Sequence, residues 1–473
     1  MKSKRRLVTI VGIIALIIYA VVLMYPLIYR FLISFKDYQP YVGLSKSKFA
    51  GLLHYKRFLK SDYFTHVSVN SIIVSAVGMI FGSVYVFFAT LATGSMKRTV
   101  PKIIISIFFA LPLALPAAVA GGLVATRIDG RVLGCLFAGI GGTLPLAALF
   151  SLGGLFVVKA PTRNAIKLAV VFSAVKLVLF FAEDFAFLSA ITDSNIYYLT
   201  DTFSLMAYRE GLVFGEFSSA AAIEIVRALF SLFPAAFGCF ILMIYMKKHN
   251  DGISRGVSAD NDRSFKFVST LMSLVPFIFT LAVVVKASGY AFYIKDYAMA
   301  YLNSVVISFF TTVIGAVLVF LMANAIRNLR MIGIIAVCIL CIMSQNIIGQ
   351  FFAEYSLGEL DSRAGVIAMN LGRAPIYALV FAIFIRLKDT FAAKLATLPL
   401  ILASIFAFSW GDFTSSLILL NTPVRYPMSL CAREIFVQDL RGVVNLSVYV
   451  AIPIAVLVIC VIASAVIMRK REE

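Results

Sequence analysis

The sequence has few charged residues, only three histidines and a single tryptophan among its 473 residues. Charged residues make up 14% of the chain, whereas hydrophobic residues make up 61% and the mean hydropathy is +0.97. A soluble globular chain is only about half apolar. The composition therefore excludes an ordinary soluble domain and indicates an integral membrane protein, with the lipid bilayer as its surroundings.

Motifs for nucleotide, metal and nucleophilic chemistry are also missing. The dipeptide Gly-Lys does not occur, which excludes a P-loop. His54, His66 and His249 are too scattered to build a metal site, and there is no H-E-x-x-H motif or nucleophile elbow. Cys338 and Cys341 form a C-x-x-C inside an apolar run, where a thiol acts as a small hydrophobe. We therefore predict no enzyme activity, no cofactor and no metal on this chain.

Basic residues outnumber acidic ones by 42 to 23, a net charge of +19. In a soluble chain this excess would suggest nucleic acid, but here the cations lie mostly in short joints between apolar runs. About 23 of the 42 fall in the joints on one side, and the positive-inside rule places that side in the cytoplasm. We predict a multi-pass protein of the cell membrane, plasma or inner, with both termini cytoplasmic and no nucleic-acid partner. Residues 36–66 go against the trend, because they are basic but predicted to lie outside.

Twelve apolar stretches approach the length of about 20 residues that a spanning helix needs. They lie near residues 7–28, 71–93, 103–125, 132–157, 168–190, 221–246, 268–285, 304–325, 331–352, 366–385, 396–417 and 448–468. We predict an all-α polytopic membrane protein of about 12 transmembrane helices in two parallel six-helix halves. Residues 1–246 form the first half, 247–267 a polar cytoplasmic linker, and 268–473 the second half.

One stretch occurs twice, with an offset of 233 residues between Asn70 and Asn303. Residues 69–75 read Val-Asn-Ser-Ile-Ile-Val-Ser, and residues 302–308 read Leu-Asn-Ser-Val-Val-Ile-Ser. Gly82 and Gly315, further along, keep the same offset. This pattern predicts two related halves fused head to tail.

Charged residues inside predicted spans are expensive in lipid and are usually turned toward the protein interior. Glu224 and Arg227 lie three apart on one helix face, so we expect them to pair with each other in a structural role. The charged positions are Lys176, Glu183, Asp184, Glu224, Arg227, Arg373 and Asp412, with Gln345, Asn346 and Asn370 as neutral companions.

Four residues are candidates for a solute pathway: Asp184, Asn346, Trp410 and Asp412. Asp184 and Asp412 lie near the outer ends of equivalent predicted spans. Either they line the outward mouth of a pathway, or they cap and anchor helices at the membrane interface. Trp410 is either an aromatic belt residue or a surface on which a sugar stacks.

Motifs in both halves resemble the carbohydrate-type (maltose-type) permeases of ATP-binding-cassette importers. The first half resembles one subunit type in Tyr25-Pro26-Leu27, Ile33-Ser34-Phe35, Leu111-Pro112 and Phe214-Gly215-Glu216-Phe217. The second half resembles its partner in Tyr301-Leu302-Asn303-Ser304, Leu360-Asp361, Thr397-Leu398-Pro399-Leu400 and Ser409-Trp410-Gly411-Asp412-Phe413. The two are usually separate proteins, so the resemblance implies a fused heterodimer.

The resemblance implies a permease for sugars or related small neutral solutes that works by alternating access. Its partners would be separate ABC ATPase subunits and an extracytoplasmic solute-binding protein. The family's Glu-Ala-Ala coupling helix has no full counterpart, because the corresponding cytoplasmic joints, residues 159–167 and 386–394, are short. The candidate ATPase-docking residues are the cations of those joints: Lys159, Arg163, Lys167, Arg386, Lys388 and Lys394.

Two other functions fit the same residues. One is a permease-derived accessory or sensory membrane protein without ATPase coupling. The other is a 12-helix proton-coupled secondary transporter in which Lys176, Glu183 and Asp184 form a proton relay. Against the second, the joint at residues 94–98 lacks the Asp-Arg-x-Gly-Arg signature expected between its second and third spans. The sequence does not identify the transported solute.

Overall fold

The computed structural model describes residues 2–125, 130–157, 161–182, 185–192, 200–248, 263–288, 297–387, 391–438 and 444–469. This part of the chain is almost entirely helical. Its one sheet is a short antiparallel pair, β1 (Lys36–Asp37) with β2 (Lys48–Phe49). The apolar composition has therefore folded into helices, which satisfy their own backbone hydrogen bonds and so suit a bilayer.

The helices of the first part of the chain begin with a long apolar helix and end at Lys248. They are α1 (Lys2–Ser34), α2 (Leu53–Leu59), α3 (Asp62–Ser95), α4 (Thr99–Ala110), α5 (Ala117–Ala125), α6 (Arg131–Ser151), α7 (Pro161–Val178), α8 (Phe185–Ile191), α9 (Phe203–Tyr208) and α10 (Phe217–Lys248). Turns of 3-10 helix follow α4 at Leu111–Ala114 and α6 at Leu152–Phe156, and a π-helical turn follows α9 at Arg209–Val213.

The second part of the chain repeats this alternation of long and short helices. Its helices are α11 (Arg263–Leu271), α12 (Leu274–Ala287), α13 (Ala298–Leu329), α14 (Met331–Met343), α15 (Ile347–Leu357), α16 (Arg363–Leu371), α17 (Ala374–Leu387), α18 (Phe391–Gly411), α19 (Thr414–Leu419), α20 (Met428–Val437) and α21 (Ser447–Arg469). A 3-10 turn at Pro423–Arg425 precedes α20.

Eight described helices are long and apolar enough to cross a membrane, or up to ten if two bent pairs each count as one span. The bent pairs are α14 with α15, at 79°, and α16 with α17, at 41°. The chain is therefore an all-α polytopic membrane protein. Twelve unbroken spans were expected, but the third and fifth stretches are each divided into shorter helices, α4 with α5 and α7 with α8. Pro112 and Pro116 lie at the first of these divisions, where proline removes the backbone donor that a continuing helix needs.

Large apolar side chains point outward around the helix bundle. Phe233 on α10 is 86% exposed, and Ile17, Val317 and Ile459 on α1, α13 and α21 are also exposed. Such a surface is unfavourable in water but matches the hydrocarbon core of a bilayer. The exposed faces therefore agree with the membrane location that the composition predicted.

The first copy of the repeated stretch ties α3 to two other elements. The Oδ1 atom of Asn70 accepts a hydrogen bond from the Arg131 Nε atom at 2.7 Å, and its Nδ2 atom donates to the Asp201 carbonyl at 2.9 Å. The hydroxyl of the neighbouring Ser71 accepts the backbone N–H of Phe203, the first residue of α9, at 3.1 Å. Asn70 is fully buried, so these bonds satisfy groups that water cannot reach.

The second copy makes the matching set of contacts. The Oδ1 atom of Asn303 accepts a hydrogen bond from the Arg363 Nε atom at 2.9 Å, and its Nδ2 atom donates to the Val424 carbonyl at 2.9 Å. The Ser304 hydroxyl accepts the N–H of Met428, the first residue of α20, at 2.7 Å. The two stretches are thus similar both in sequence and in the hydrogen bonds that they make.

The first long helix of each part packs against the other part. Helix α1 lies on α13, α14 and α15, while α11 lies on α3 and α12 lies on α4 and α5. Gly12 permits the close approach of α1 to α13, because a Cβ atom at this position would lie 2.6 Å from the Leu321 carbonyl oxygen. The two parts are therefore interleaved rather than merely side by side.

Candidate functional site: two cavities beside broken helices

The larger cavity, of about 130 Å³, lies where the two parts of the chain meet. The first part contributes α6, α7, α8 and the turn after α4, and the second contributes α17, α18 and the break before α15. The wall is mostly apolar, with leucines 113, 115, 146, 149 and 179 prominent. Its polar groups come from Lys176, Gln345, Arg373, Tyr377 and Asp412.

A smaller cavity, of about 60 Å³, adjoins the larger one. The two share four lining residues, Gln345, Arg373, Phe408 and Asp412. Most of the other lining residues are polar: Ser204, Arg227, Ser344, Asn346, Gln350, Thr414 and Ser415. The structure thus places an apolar chamber and a polar chamber on either side of a few shared side chains.

An ion pair stands among the shared residues. The Arg373 Nη2 atom lies 3.9 Å from the Asp412 Oδ1 atom, and the Arg373 guanidinium lies 4.2 Å above the centre of the Phe408 ring. The Thr414 hydroxyl donates to the Asp412 Oδ1 atom at 2.8 Å. Arg373 lies at the bend between α16 and α17, and Asp412 at the interruption between α18 and α19. Interrupted helices therefore bring the two charges to the cavity.

The break between α14 and α15 is held by Glu224, a residue of the first part. Glu224 lies on α10 and is fully buried. Its Oε1 atom accepts the N–H groups of Ile347 and Ile348 at 2.8 and 3.3 Å, and these are the first residues of α15. A carboxylate at a helix N-terminus satisfies free N–H groups and faces the positive end of the helix dipole.

Two arginines complete this arrangement. The Arg30 Nη1 atom of α1 lies 3.5 Å from the Glu224 Oε2 atom, so the buried carboxylate has a buried cation beside it. Arg227, one turn along α10 from Glu224, donates to the Ser204 hydroxyl at 2.7 Å and to the Gln345 carbonyl, just before the break ends. Glu224 thus holds the start of α15, while Arg227 holds the carbonyl that precedes it.

Asn346 caps α15 from within the break. Its Oδ1 atom accepts the Gly349 N–H at 2.9 Å, which is the usual N-cap bond. Its Nδ2 atom is buried and has no hydrogen-bond partner among the described residues. Because the cap fixes which side of the amide faces Gly349, the unpaired side is the donor, and Asn346 is one of the residues that line the smaller cavity.

The structure brings together two of the four candidate pathway residues, Asn346 and Asp412, at the smaller cavity. Trp410 lies elsewhere: it is 1% exposed, stacks between Phe406 and Tyr449, and donates its indole N–H to the Tyr449 carbonyl at 2.9 Å. It is therefore a core residue, neither in an outward-facing belt nor open to a sugar. Asp184 lies outside the described residues, as does Glu183.

The expected partnership between Glu224 and Arg227 takes a different form. Each engages the backbone at the α14–α15 break, and the salt-bridge partner of Glu224 is Arg30. Their structural role was foreseen, but Arg30 was missed, because it was taken to lie beyond the end of the first span. The signal was available, since Arg30 is the lone cation in the apolar run from residue 7 to residue 35.

The candidate docking cations differ in their exposure. Arg163 is exposed, whereas Lys167, Arg386 and Lys394 are half-buried. Arg386 donates to the Met246 carbonyl near the end of α10, so this cation already has a structural task. Lys159 and Lys388 lie outside the described residues.

No known protein family, no curated protein and no solved structure matches this sequence. Among the residues that the structure describes, no group of three or more His, Cys, Asp and Glu side chains could hold a metal ion. The chemistry of the site therefore follows from its own geometry, which is a pair of adjoining cavities lined by charged residues at the ends of interrupted helices.

Proposed function

We propose that the chain is the transmembrane permease of an ABC importer, made of two six-helix halves fused in one polypeptide. The observation that carries the proposal is the pair of cavities that lie between the two parts of the chain and are lined by both. A site at the interface of two repeats, beside interrupted helices, is the arrangement that alternating access uses.

Two further observations support the division into halves. The two copies of the repeated stretch make matching hydrogen bonds through Asn70 and Asn303. The first long helix of each half, α1 or α12, lies on the opposite half. In this proposal the broken stretches α4–α5 and α7–α8 count as the third and fifth spans of the first half, which gives twelve spans in all.

The proposed mechanism is a rocking of the halves about the cavities. Separate ATPase subunits would bind the basic joints on the cytoplasmic side, through Lys159, Arg163, Lys167, Arg386, Lys388 and Lys394. An extracytoplasmic binding protein would deliver a small solute from outside. Both termini would then lie in the cytoplasm of a cell whose plasma or inner membrane holds the protein.

A pull-down tests this proposal. The tagged chain is purified from its native membrane in mild detergent, and co-purifying proteins are identified by mass spectrometry. We expect a P-loop ATPase, and we expect Arg163→Glu with Lys388→Glu to reduce its recovery at least about tenfold. Arg386 is left unchanged because its bond to Met246 would confuse a docking defect with a folding defect.

The matched control reverses the charge of two exposed residues in the outer segment, Lys46→Glu with Lys48→Glu. These changes should leave ATPase recovery unchanged. An intact, monodisperse chain that brings down no ATPase would contradict the importer proposal and favour the uncoupled accessory protein.

A proton-coupled secondary transporter is the second candidate, because charged side chains on interrupted helices, Arg373 and Asp412, line the cavities. Such groups serve proton coupling in transporters. The two candidates separate in one assay: uptake that collapses when a protonophore is added at constant ATP favours the secondary transporter, whereas uptake that persists favours the importer.

A further inference from the structure

Asn346, which lines the smaller cavity, carries a hydrogen-bond donor whose partner is missing from the described protein. Asn346 is 2% exposed, and its Nδ2 atom has no acceptor there. Buried polar groups are nearly always hydrogen-bonded, and an exception in a cavity calls for an acceptor from outside the protein. The Oδ1 atom accepts the Gly349 N–H, so rotating the amide by half a turn would break that bond without giving Nδ2 an acceptor.

The groups near this donor define the kind of acceptor that fits. Arg227 and Arg373 line the same cavity, together with the hydroxyls of Ser204, Ser344 and Ser415. Arginine has donors only and always carries its charge, whereas the Ser344 and Ser415 hydroxyls already donate to the Cys341 carbonyl and to the Asn370 Oδ1 atom. Hydrogen bonds from such groups are strongest when the acceptor is an anion, above all a carboxylate. Asp412 is the one acidic residue among the lining residues, and it faces Arg373 and Thr414.

The larger cavity, which adjoins the smaller one, indicates the chemical character of the rest of the ligand. Its walls are leucines, alanines, Ile376 and the ring of Phe408, and Lys176 is its one charged group besides Arg373 and Asp412. A polyhydroxylated sugar would leave many hydroxyl groups unpaired against such a wall. A short hydrocarbon chain would gain from burial there.

From these observations we propose that the two cavities bind a small aliphatic carboxylate. Its carboxylate group accepts hydrogen bonds from Asn346 Nδ2 and the neighbouring arginine in the smaller cavity, and its hydrocarbon part occupies the larger one. This inference rests on the proposed solute pathway and names its substrate class, which is an organic acid in place of the neutral sugar that the sequence resemblance implied.

Butyrate is the probe for a binding test on the purified full chain in nanodiscs. Trp410 is the only tryptophan, so its fluorescence reports the thermal unfolding midpoint. Sodium butyrate is compared with butyramide, with maltose, and with sodium chloride at equal ionic strength. We expect butyrate to raise the midpoint in a saturable way, while butyramide, maltose and sodium chloride leave it unchanged.

The decisive variant is Asn346→Asp. It keeps an oxygen to cap Gly349 but replaces the free donor with a negative charge, so we expect butyrate to bind at least about tenfold more weakly. Asn328→Asp makes the same exchange at an exposed site whose partner is Thr9 and which lines neither cavity, and it should bind butyrate as the natural chain does. If Asn346→Asp does not fold, Asn346→Ser retains a capping oxygen and should lose butyrate binding in the same way.

Three results would overturn the inference: equal shifts with butyrate and butyramide, a shift with maltose instead, or unchanged butyrate binding in Asn346→Asp. The assay contains no ATPase, so its failure leaves the importer proposal to be decided by the pull-down. A failed pull-down likewise leaves the binding result unaffected.

Discussion

The two parts of the chain interrupt their third apolar stretch at matching positions but stabilise the interruption in opposite ways. In the second part the break covers residues 344–346, and subtracting the repeat offset of 233 gives residues 111–113 in the first part, where α4 gives way to a 3-10 turn. The second break is polar and is held by Glu224 and Arg227. The first is apolar, with buried leucines at 111, 113 and 115.

The difference illustrates two solutions to one problem. Inside a membrane, a backbone N–H left without a partner costs several kcal/mol. The first break avoids part of this cost through Pro112 and Pro116, which have no N–H. The second break satisfies its N–H groups with a carboxylate from another helix. The proline break therefore needs fewer backbone acceptors, whereas the charged break takes its acceptor from the other part of the chain.

Removing the carboxylate of the charged break should have the largest effect. Glu224→Leu leaves Arg30 without its partner and the N–H groups of Ile347 and Ile348 without their acceptor. We expect a loss of about 3–5 kcal/mol, seen as little folded protein or a much lower thermal midpoint by Trp410 fluorescence. Glu216→Gln, an exposed change in the same region, is the control and should have no effect. A normal midpoint for Glu224→Leu would contradict the role given to the carboxylate.

The repeat predicts that substituting its two equivalent asparagines, one in each part of the chain, lowers stability by equal amounts. Asn70→Ala and Asn303→Ala each remove the partner of an arginine and the donor to a loop carbonyl. We expect each to lower stability by about 1–3 kcal/mol, with the two values within about 1 kcal/mol of each other. Denaturant titration of both variants measures this, and a large effect confined to one copy would refute structural equivalence.

Changes at the two breaks that leave the charges in place should lower stability less than Glu224→Leu does, and by different amounts. Asn346→Ala removes the N-cap of α15 and should cost about 1 kcal/mol. Pro116→Ala removes the rigidity of proline and also adds a backbone N–H that needs an acceptor, so it should cost about 1–3 kcal/mol. Thermal midpoints of the two variants provide the comparison, and a cost for Pro116→Ala no larger than that for Asn346→Ala would contradict the role given to the prolines.

The smallest effect concerns the turn between α15 and α16, outside the membrane. Burial alone would raise the pKa of Asp361, but hydrogen bonds from Thr422 and Asn421 and the charge of Arg425 outweigh it and hold the pKa below its usual value. A lowered carboxylate pKa gives stability that is present above the unfolded pKa, about 4, and is lost as the pH falls through the folded value.

Asp361→Asn should therefore lower the thermal midpoint slightly at pH 7 and reduce the further loss seen on acidification toward pH 3. The midpoint is measured at both pH values beside Asp37→Asn, which changes an exposed carboxylate on strand β1. Identical acid sensitivity in Asp361→Asn and the natural chain would rule out this contribution of Asp361.

Much of the fold was predictable because hydropathy follows directly from the need to bury or expose apolar surface. The positions of the long helices followed from this, and Asn70 and Asn303 identified the repeat before their hydrogen bonds were known. The breaks were harder to predict, because residues 331–352 read as one apolar run. The local cap of Asn346 is joined there by contacts from a distant helix, of Glu224 with the Ile347 N–H and of Arg227 with the Gln345 carbonyl, and long-range contacts of this kind leave no local signal.

The candidate site was predictable to a similar degree. Asp412 and Asn346 were identified because a polar group in an apolar run is costly unless it faces the interior. The burial of Trp410 was not predicted, because tryptophan suits a membrane interface and a packed core equally well, and its bond to the Tyr449 carbonyl is set by the fold. The pairing of Arg30 with Glu224 joins two helices 194 residues apart, a separation that sequence spacing alone cannot bridge.

The most direct test of the account asks whether the cavity between the two parts of the chain is reached by solute. Ala407→Cys places a thiol in the wall of the larger cavity, and Ile405→Cys places one against Gly315 of α13 instead. Both are made after the six natural cysteines have been replaced, and both are treated in membrane vesicles with a small charged thiol reagent that does not cross lipid. The account predicts that Ala407→Cys reacts and Ile405→Cys does not, and that butyrate slows the reaction. A thiol at residue 407 that stays unreactive from both sides of the membrane would contradict a solute pathway between the two halves.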